Sequence, residues 1–440
     1  MQRWQTYLAL LFLLAATAGC GPAPTGRTEI TLQRFFGACD AQYGKSTDVA
    51  AAEDECGIIT TLINRFNATN PDVHVKVNVV YWPGYDPLSA ELAAGAPPDL
   101  VVMHQSVLSD YSQRHLITPL EEGLGAVGVD PASFTRAAHE GVVRGGHVYA
   151  LPFDTWAPLW HINMGLFRAA GLVRDGRPLL PHSPEELLQQ ARQFKQATGK
   201  PYLIQSMVNE PAAYARNLYT LLMQQNQDFF ADPRRIHLQT AQAHAVLQLF
   251  KQLYDEELTT RDQDYTAATS AFLNGEGGVY LVGTWMIGAY DRASRQPGSP
   301  LAGGYAVVPY PQLYPGREAT YADGHCWVVP TAKRTSASLQ AIFRVLRYLK
   351  DSDFDWSRTG HLPANQAVID SERWRALPHR AEIASLVDTA EPLPGGVQRQ
   401  FLIQQIVSAE MESGITGQKP IDTALADAQR RVNDLLFNLL

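Results

Sequence analysis

The chain has 440 residues, a formal net charge of -8, 45% hydrophobic residues and only 18% charged residues. This length allows two or three domains with large cores, and an aromatic content of 10% argues against a disordered chain. The negative charge is spread without long blocks of one sign, so nucleic acid is a poor candidate partner.

The N-terminal segment is typical of an export signal. Arg3 precedes an apolar run over residues 8–16, which is too short to span a bilayer comfortably. Small residues followed by Cys20 resemble the lipobox of bacterial lipoproteins, in which this thiol is acylated, although Thr17 stands where leucine is usual. We therefore expect a signal peptide over residues 1–19 and lipidation of Cys20. A plain secretory signal and a short anchor helix remain alternatives.

Two cysteines bracket a polar loop. Cys39 and Cys56 flank the acidic stretch 40–48, and in an oxidising compartment a disulfide closing this loop would stabilise the fold by about 3 kcal/mol. We predict that disulfide, with two unpaired thiols as the alternative. Cys326 lies in an apolar run and is predicted to be a buried small hydrophobe.

Strands and helices alternate along the chain. Valines at every second position over 73–79 predict a strand, and apolar residues at helical spacing over 58–66 predict a helix. Ser183 is predicted to cap a further helix, with Pro184 in its first turn. The other predicted strands are 30–35, 99–103, 149–153, 278–282, 305–308 and 326–329, and the other predicted helices are 88–94, 243–254, 336–349 and 424–439. This alternation predicts an α/β protein with mostly parallel sheets, divided into two lobes with the ligand crevice between them.

Several segments match a known family in their order and spacing. They are residues 58–79, 96–102, 116–120, 146–154, 160–163, 272–278, 283–285 and 324–330. Together they resemble the extracellular solute-binding proteins of ABC import systems, in the carbohydrate-binding group similar to maltose-binding protein.

This resemblance implies a periplasmic-binding-protein-like fold of two discontinuous lobes joined by a hinge. Expected crossings near residues 145, 321 and 352 divide the chain into a tether over 20–27, lobe 1 over 28–145 plus 322–352, and lobe 2 over 146–321 plus 353–440. It also implies an exported protein, periplasmic or at the cell surface and held to a membrane by its lipid. The protein would act as a monomer that delivers a carbohydrate to an ABC permease, without a cofactor, metal ion or catalytic residue.

Candidate ligand-binding residues lie where predicted strands end. A sugar presents apolar C–H faces and hydroxyl groups, which suit aromatic rings and planar hydrogen-bonding groups. The candidates are Phe36, Trp82, His104, Gln105, Asp154, Trp156, Asn209, Glu210, Trp285, His325 and Trp327, together with Arg358 in a loop that resembles a stretch near the family's cleft mouth. Core packing is the alternative role for each tryptophan, and capping of strand ends is the alternative for His104 and His325.

Enzyme motifs are weak in this sequence. The metalloprotease pattern His-Glu-x-x-His and the hydrolase pattern Gly-x-Ser-x-Gly are absent. Residues 123–128 match the dinucleotide fingerprint in letters, but a strand before them and a helix after them are not predicted. An exported glycoside hydrolase with paired carboxylates remains an alternative. So does a binding protein of the same fold for a polyol, a glycerol phosphate ester or a peptide.

Overall fold

The structure, a computed structural model, describes residues 26–208 and 212–439. The signal peptide, Cys20, Asn209 and Glu210 lie outside the described residues. Within the described part of the chain, no helix is both long enough and apolar enough to cross a bilayer.

The strands form two larger sheets and several two-stranded pairs. In chain order they are β1 Thr28–Arg34, β2 Val73–Val79, β3 Leu100–His104, β4 Val143–Arg144, β5 His147–Val148, β6 Leu151–Pro152, β7 Asp154–Thr155, β8 Pro158–Asn163, β9 Val173–Arg174, β10 Arg177–Pro178, β11 Leu203–Ile204, β12 Val279–Gly283, β13 Tyr305–Pro309, β14 Thr320–Tyr321, β15 His325–Val328, β16 Leu362–Pro363 and β17 Ala390–Glu391. The first sheet has the order β2-β1-β3-β15-β6, and the second has the order β11-β12-β8-β13.

Helices cover both sheets. They are α1 Asp40–Tyr43, α2 Asp54–Thr69, α3 Tyr85–Ala93, α4 Leu108–Ser112, α5 Glu121–Ala126, α6 Arg136–Val142, α7 Met164–Ala169, α8 Pro184–Thr198, α9 Ala213–Gln224, α10 Ala241–Asp255, α11 Tyr265–Leu273, α12 Ile287–Arg295, α13 Ser336–Asp351, α14 Asp353–Ser357, α15 Gln366–Ile369, α16 Glu372–Arg375, α17 Arg380–Ile383, α18 Leu386–Thr389, α19 Gln400–Ile415 and α20 Ile421–Phe437. The predicted cap of α8 is confirmed, because the Ser183 hydroxyl accepts the backbone N–H of Glu186 at 3.1 Å.

Each sheet has its own hydrophobic core. Ile30, Leu62 and Val102 belong to the core around the first sheet, whereas Trp160 and Leu218 belong to the core around the second. Two separate cores are the physical basis of two lobes, because each sheet buries its apolar residues against its own helices.

The prediction of mostly parallel sheets is wrong for the second sheet. There, β8 pairs antiparallel with both β12 and β13, and only β11 and β12 run parallel. In the first sheet β1 is parallel to β2 and β3, while β15 is antiparallel to β3. β8 and β15 each follow a passage between the sheets, and each runs antiparallel to the strands named above. Hydrophobic periodicity predicts a strand but carries no information on its direction relative to its neighbours.

The passages between the sheets differ in position from the sequence-based boundaries. Leu151–Pro152 still pairs with β15 in the first sheet, and β8 belongs to the second. The chain therefore leaves the first sheet between Pro152 and Pro158, later than the expected boundary near residue 145. In the same region β7 pairs with β16, and Trp156 forms an isolated bridge with Asp323.

The third passage also lies later than expected. Asp355 in α14 accepts a hydrogen bond from Arg65 of α2 at 3.3 Å, so α14 is attached to the first lobe beyond residue 352. The passage follows at β16, which pairs with β7 in the connection between the two sheets.

The predicted disulfide is confirmed. Cys39 and Cys56 are bonded, with their Cα atoms 6.1 Å apart. The bond closes the loop that carries Val49 and Ala52 and joins it to the first turn of α2. Cys326 is buried and free, as predicted.

Candidate functional site

Two histidines meet at the edge of the first sheet. His104 ends β3 and is the register partner of His325, which begins β15. Their ring centroids are 5.0 Å apart, and both side chains are buried. Residues predicted from separate strand ends are therefore neighbours, because adjacent strands of one sheet end at the same edge.

Asp154 is the centre of a buried hydrogen-bond network. Its carboxylate accepts the backbone N–H of His325 at 2.9 Å and is 2.8 Å from His325 Nδ1. The indole Nε1 of Trp356 donates to the same carboxylate at 2.7 Å. Asp154 is fully buried, so the carboxylate has exchanged water for these donors.

The two charges of this network stabilise each other. Burial by itself would raise the pKa of Asp154, but the charges of His325 and His361 and the hydrogen bonds hold that pKa well below its usual range. Burial likewise lowers the pKa of His325, but Asp154, Glu55 and Asp323 outweigh it, so that this pKa lies above its ordinary value. For His104 burial dominates, and with the charge of His325 it holds the pKa well below the ordinary value.

Aromatic rings line the first lobe beside the two histidines. Phe35 stacks on His104 with ring centroids 5.2 Å apart, and Phe36 meets His325 edge to face at 5.0 Å. Trp82 is half-buried and lies 5.9 Å from His104. Phe36 and Trp82 were predicted from their positions after strands, and the structure places both in this aromatic cluster, where Phe36 is buried and Trp82 is partly exposed.

A pair of tryptophans stands where the second lobe joins the connection between the sheets. Trp156 and Trp285 meet edge to face with ring centroids 5.6 Å apart, and Trp156 also lies 6.3 Å from His104. The Trp285 indole donates to the Tyr265 hydroxyl at 2.9 Å. A side chain at Gly283 would occupy the space of the Trp285 ring, which explains why glycine precedes this tryptophan by two residues.

The guanidinium of Arg216 lies over the face of Trp156. Its Cζ atom is 4.8 Å from the ring centroid, within the range of a cation–π contact. The first turns of α9 bring this cation to the same place as the tryptophan pair. The junction therefore combines apolar ring faces, imidazole groups and a positive charge.

Gln105 packs against the backbone of the connection between the sheets. Its side-chain amide donates to the Asp154 carbonyl at 3.3 Å, and its backbone N–H donates to the Gly324 carbonyl at 2.8 Å. A Cβ on Gly324 would collide with the Gln105 side chain. A cavity of about 290 Å³ opens beside Gln105, and Arg136, Arg144 and Asp323 also line it.

Trp327 and Arg358 are held by other parts of the protein. Trp327 shares a strand face with His325, but it lies further from the end of β15 and is fully buried against Phe153, with ring centroids 5.4 Å apart. Arg358 donates to the backbone carbonyls of the disulfide loop, including Val49 and Ala52 at 2.7 Å each. In this conformation both side chains serve packing of the first lobe, so we propose no ligand contact for either.

Sequence reasoning missed several groups at this junction. These groups are Trp356 in α14, Glu55 in α2 and Arg216 in α9. No local sequence pattern distinguishes them from other surface or core residues of a helix. His361 lies in the loop 358–363 that the family resemblance singled out, yet Arg358 rather than His361 was chosen from it. The available signal was a histidine flanked by Gly360 and Leu362 within that loop.

His361 connects α2 to the second lobe. Its Nε2 is 2.8 Å from Glu55 Oε1, and its Nδ1 is 3.1 Å from the Thr284 hydroxyl. Nearby, Arg292 of α12 is 3.3 Å from Glu53. These polar contacts therefore join the two lobes beside the junction at which the aromatic residues lie.

A family model and curated relatives match most of the length of this chain. Residues 61–382 match the family model described as bacterial extracellular solute-binding protein. The sn-glycerol-3-phosphate-binding periplasmic protein UgpB of Salmonella paratyphi A is 23% identical over 435 residues, covering 92% of this chain and 93% of that protein. UgpB of Escherichia coli K12 is 25% identical over 177 residues, or 38% of this chain and 37% of that protein.

Solved structures share the fold at low sequence identity. The GacH receptor of Streptomyces glaucescens, known unliganded and with acarbose, has a TM-score of 0.77 and 18% identity, with 93% of this chain and 98% of that chain covered. Maltose-bound MalE3 of T. maritima has a TM-score of 0.76 and 17% identity, with 93% and 100% covered. The fold, the two sheets and the family model agree with the predicted resemblance, and the chain belongs to the bacterial extracellular solute-binding proteins.

Proposed function

We propose that this protein binds a carbohydrate at the junction of its two lobes and delivers it to an ABC permease. The observation that carries the proposal is the pair formed by Trp156 and Trp285, with ring centroids 5.6 Å apart, where both lobes meet. Trp156 is 2% exposed, whereas Trp285 is half-buried, so the Trp285 indole offers the surface that suits the C–H faces of a sugar ring. The work is reversible binding coupled to closure of the lobes, not bond chemistry.

The sugar-bound state requires groups from both lobes. His104 and Trp82 come from the first lobe, Trp285 comes from the second, and Trp156 comes from the connection between them. A ligand that contacts all of them binds the closed arrangement better than an open one, which is the condition for closure on binding. The solved neighbours with bound acarbose and maltose support a sugar as the ligand class.

Titration with sugars tests this proposal. We expect isothermal calorimetry with a panel of mono- and oligosaccharides to yield at least one saturable ligand, accompanied by a change in tryptophan fluorescence. Trp285→Ala is expected to weaken that ligand by about 2 kcal/mol, or about thirtyfold in Kd, because a central aromatic contact is lost. Phe437→Ala removes an aromatic ring that is 72% exposed at the other end of the chain and serves as the matched control. A panel without any saturable sugar, or equal Kd values for Trp285→Ala and Phe437→Ala, would contradict the proposal.

A glycerol phosphate ester is the second candidate ligand. The Arg216 guanidinium lies 4.8 Å from the Trp156 ring centroid and places a cation at the junction, and the curated relatives are named for binding sn-glycerol 3-phosphate. The same calorimetry distinguishes the two classes. Binding of sn-glycerol 3-phosphate that weakens with added salt, without sugar binding, would favour the ester, because salt screens a charged ligand and not a neutral one.

The lipid anchor predicted at Cys20 would keep the loaded protein beside its permease and raise the local concentration there. Cys20→Ser is expected to release the exported protein from the membrane fraction into the soluble fraction, as fractionation and immunoblotting would measure. The matched control is Cys326→Ser, which changes a cysteine far from the signal. Equal membrane retention of both variants would contradict the anchor.

A further inference from the structure

A group of three potential metal ligands lies at the junction of the lobes. Glu55, His325 and His361 each offer one ligand atom, and these atoms all lie within 4.8 Å of one another. The residues come from α2, from the start of β15 and from the loop before β16. Among residues 26–208 and 212–439 this is the one such group of three or more. We propose that Glu55, His325 and His361 form a binding site for a divalent transition-metal cation of the zinc class.

The two histidines are already oriented by hydrogen bonds on one ring nitrogen. Nδ1 of His325 is 2.8 Å from the Asp154 carboxylate, which leaves Nε2 as the nitrogen that can bind a cation. Within the described part of the chain, His325 Nε2 makes no hydrogen bond. Nδ1 of His361 is 3.1 Å from Thr284 Oγ1, which likewise directs Nε2 of His361 to the group. A carboxylate or hydroxyl that holds the second nitrogen of a histidine is the usual support of a metal-binding imidazole.

The donor set matches zinc chemistry. Two imidazoles and one carboxylate are the protein ligands of many zinc sites that keep a fourth position open. Ligands of a tetrahedral ion with bonds of about 2.1 Å lie about 3.4 Å apart. The Nε2 of His361 and Oε1 of Glu55 are 2.8 Å apart, and all three ligand atoms lie within 4.8 Å of one another, so side-chain adjustments of about 1 Å bring them to this spacing.

The group is buried on one side and open on the other. The His361 side chain is fully buried and that of Glu55 is 29% exposed. Glu55 therefore provides a path for the cation, and the Trp285 ring lies 6.2 Å from the His361 ring on the second lobe. The His325 ring lies 5.4 Å from the His361 ring, and its Nδ1 is held by Asp154, so a third potential ligand lies beside the pair formed by Glu55 and His361.

Calorimetric titration of tag-free protein with zinc chloride, after removal of metal by EDTA dialysis, tests the site. We expect one zinc ion per chain. Glu55→Gln and His361→Gln are each expected to weaken zinc binding by at least tenfold, because each removes a ligand. Thr284→Val removes the hydrogen bond to His361 Nδ1 and is expected to cost about tenfold.

The matched control is Glu121→Gln. Glu121 Oε1 lies 2.6 Å from His147 Nδ1 at an exposed position, so this variant also breaks a glutamate–histidine pair, but one without a second histidine. Zinc affinity of Glu121→Gln is expected to equal that of the unaltered protein. Absence of zinc binding, or equal affinity of Glu55→Gln and Glu121→Gln, would overturn the proposal.

Folding and function are separated by two further readouts. Circular dichroism determines whether His361→Gln is folded. If His361→Gln is unfolded, the zinc affinity of Glu55→Gln tests the metal site, because Glu55 is partly exposed. Zinc binding is measured without any sugar, so failure of the metal site leaves the carbohydrate proposal standing. Conversely, zinc binding in a protein that binds no sugar supports the metal site alone.

Discussion

Asp154→Asn is expected to lower the free energy of unfolding by about 3–5 kcal/mol at pH 6, the range for breaking one partner of a buried ion pair. The carboxylate accepts the His325 N–H at 2.9 Å and the Trp356 indole at 2.7 Å. Asparagine has the same shape, but its amide places donors opposite donors and removes the charge that stabilises protonated His325. Urea unfolding followed by circular dichroism measures the change.

The pH dependence identifies the ion pair as the cause. The raised pKa of His325 means that its contribution is fully present below the ordinary value of 6.5 and is lost as the pH rises through the folded-state value. The lowered pKa of Asp154 means that its contribution is present above 3.8 and is lost as the pH falls through the folded-state value. The difference between wild type and Asp154→Asn is therefore expected to be largest between these ordinary values and to shrink as the solution becomes alkaline.

An exposed pair provides the control for this variant. Asp422 lies 3.7 Å from His244, and its side chain is 87% exposed. Asp422→Asn is expected to change stability by less than about 1 kcal/mol, as for other surface pairs. Similar losses for Asp154→Asn and Asp422→Asn would show that the buried network contributes little. A large loss that does not vary with pH would show that the ion pair is not its cause.

Replacing both Cys39 and Cys56 by serine is expected to lower the free energy of unfolding by about 3 kcal/mol, the chain-entropy value for a loop of this size. The bond joins residues 17 positions apart. It restricts the unfolded chain, and in the folded protein it holds the loop whose carbonyls at Val49 and Ala52 accept hydrogen bonds from Arg358. The urea midpoint measures the effect.

Chemical reduction is the control for the disulfide. A reductant is expected to lower the midpoint of the wild-type protein to that of the double variant and to leave the double variant unchanged, because Cys326 is a buried free thiol. If the double variant has the same urea midpoint as the wild-type protein, the disulfide contributes little to the free energy of unfolding. The disulfide loop also carries Glu53, which lies 3.3 Å from Arg292 of α12 in the second lobe. The ligand affinity of the double variant therefore tests whether loosening this loop also weakens closure of the lobes.

Local patterns in the chain predicted several of the longer elements, including β1, β2, α2, α10, α13 and α20, but they gave no prediction for α9, α19 or β8. The alternating valines of β2 and the cap of α8 at Ser183 depend on nearest neighbours, so they are readable without tertiary information. His104 and His325 were each predicted from the end of a strand, and the pairing of β3 with β15 brings them to a common edge. The disulfide was predictable because its two cysteines flank one short loop.

The roles of individual side chains were less predictable. Asp154 and Trp327 were both chosen as ligand-binding residues from their positions after or within strands. Asp154 proves to hold His325 and Trp356 by hydrogen bonds, and Trp327 is fully buried against Phe153. A polar or aromatic residue at a strand end has the same local signature whether it faces a ligand or a neighbouring element.

By itself, the sequence determined the alternation of strands and helices, the division into two lobes, the disulfide and the family. Each of these depends on a short-range pattern or on the order of segments along the chain. Only the tertiary structure decided the antiparallel course of β8, the later passages between the sheets and the meeting of Glu55 with His361, whose positions differ by 306 residues. Contacts between distant segments arise from how whole sheets and helices pack, and no local spacing encodes which side chains that packing brings within hydrogen-bond distance.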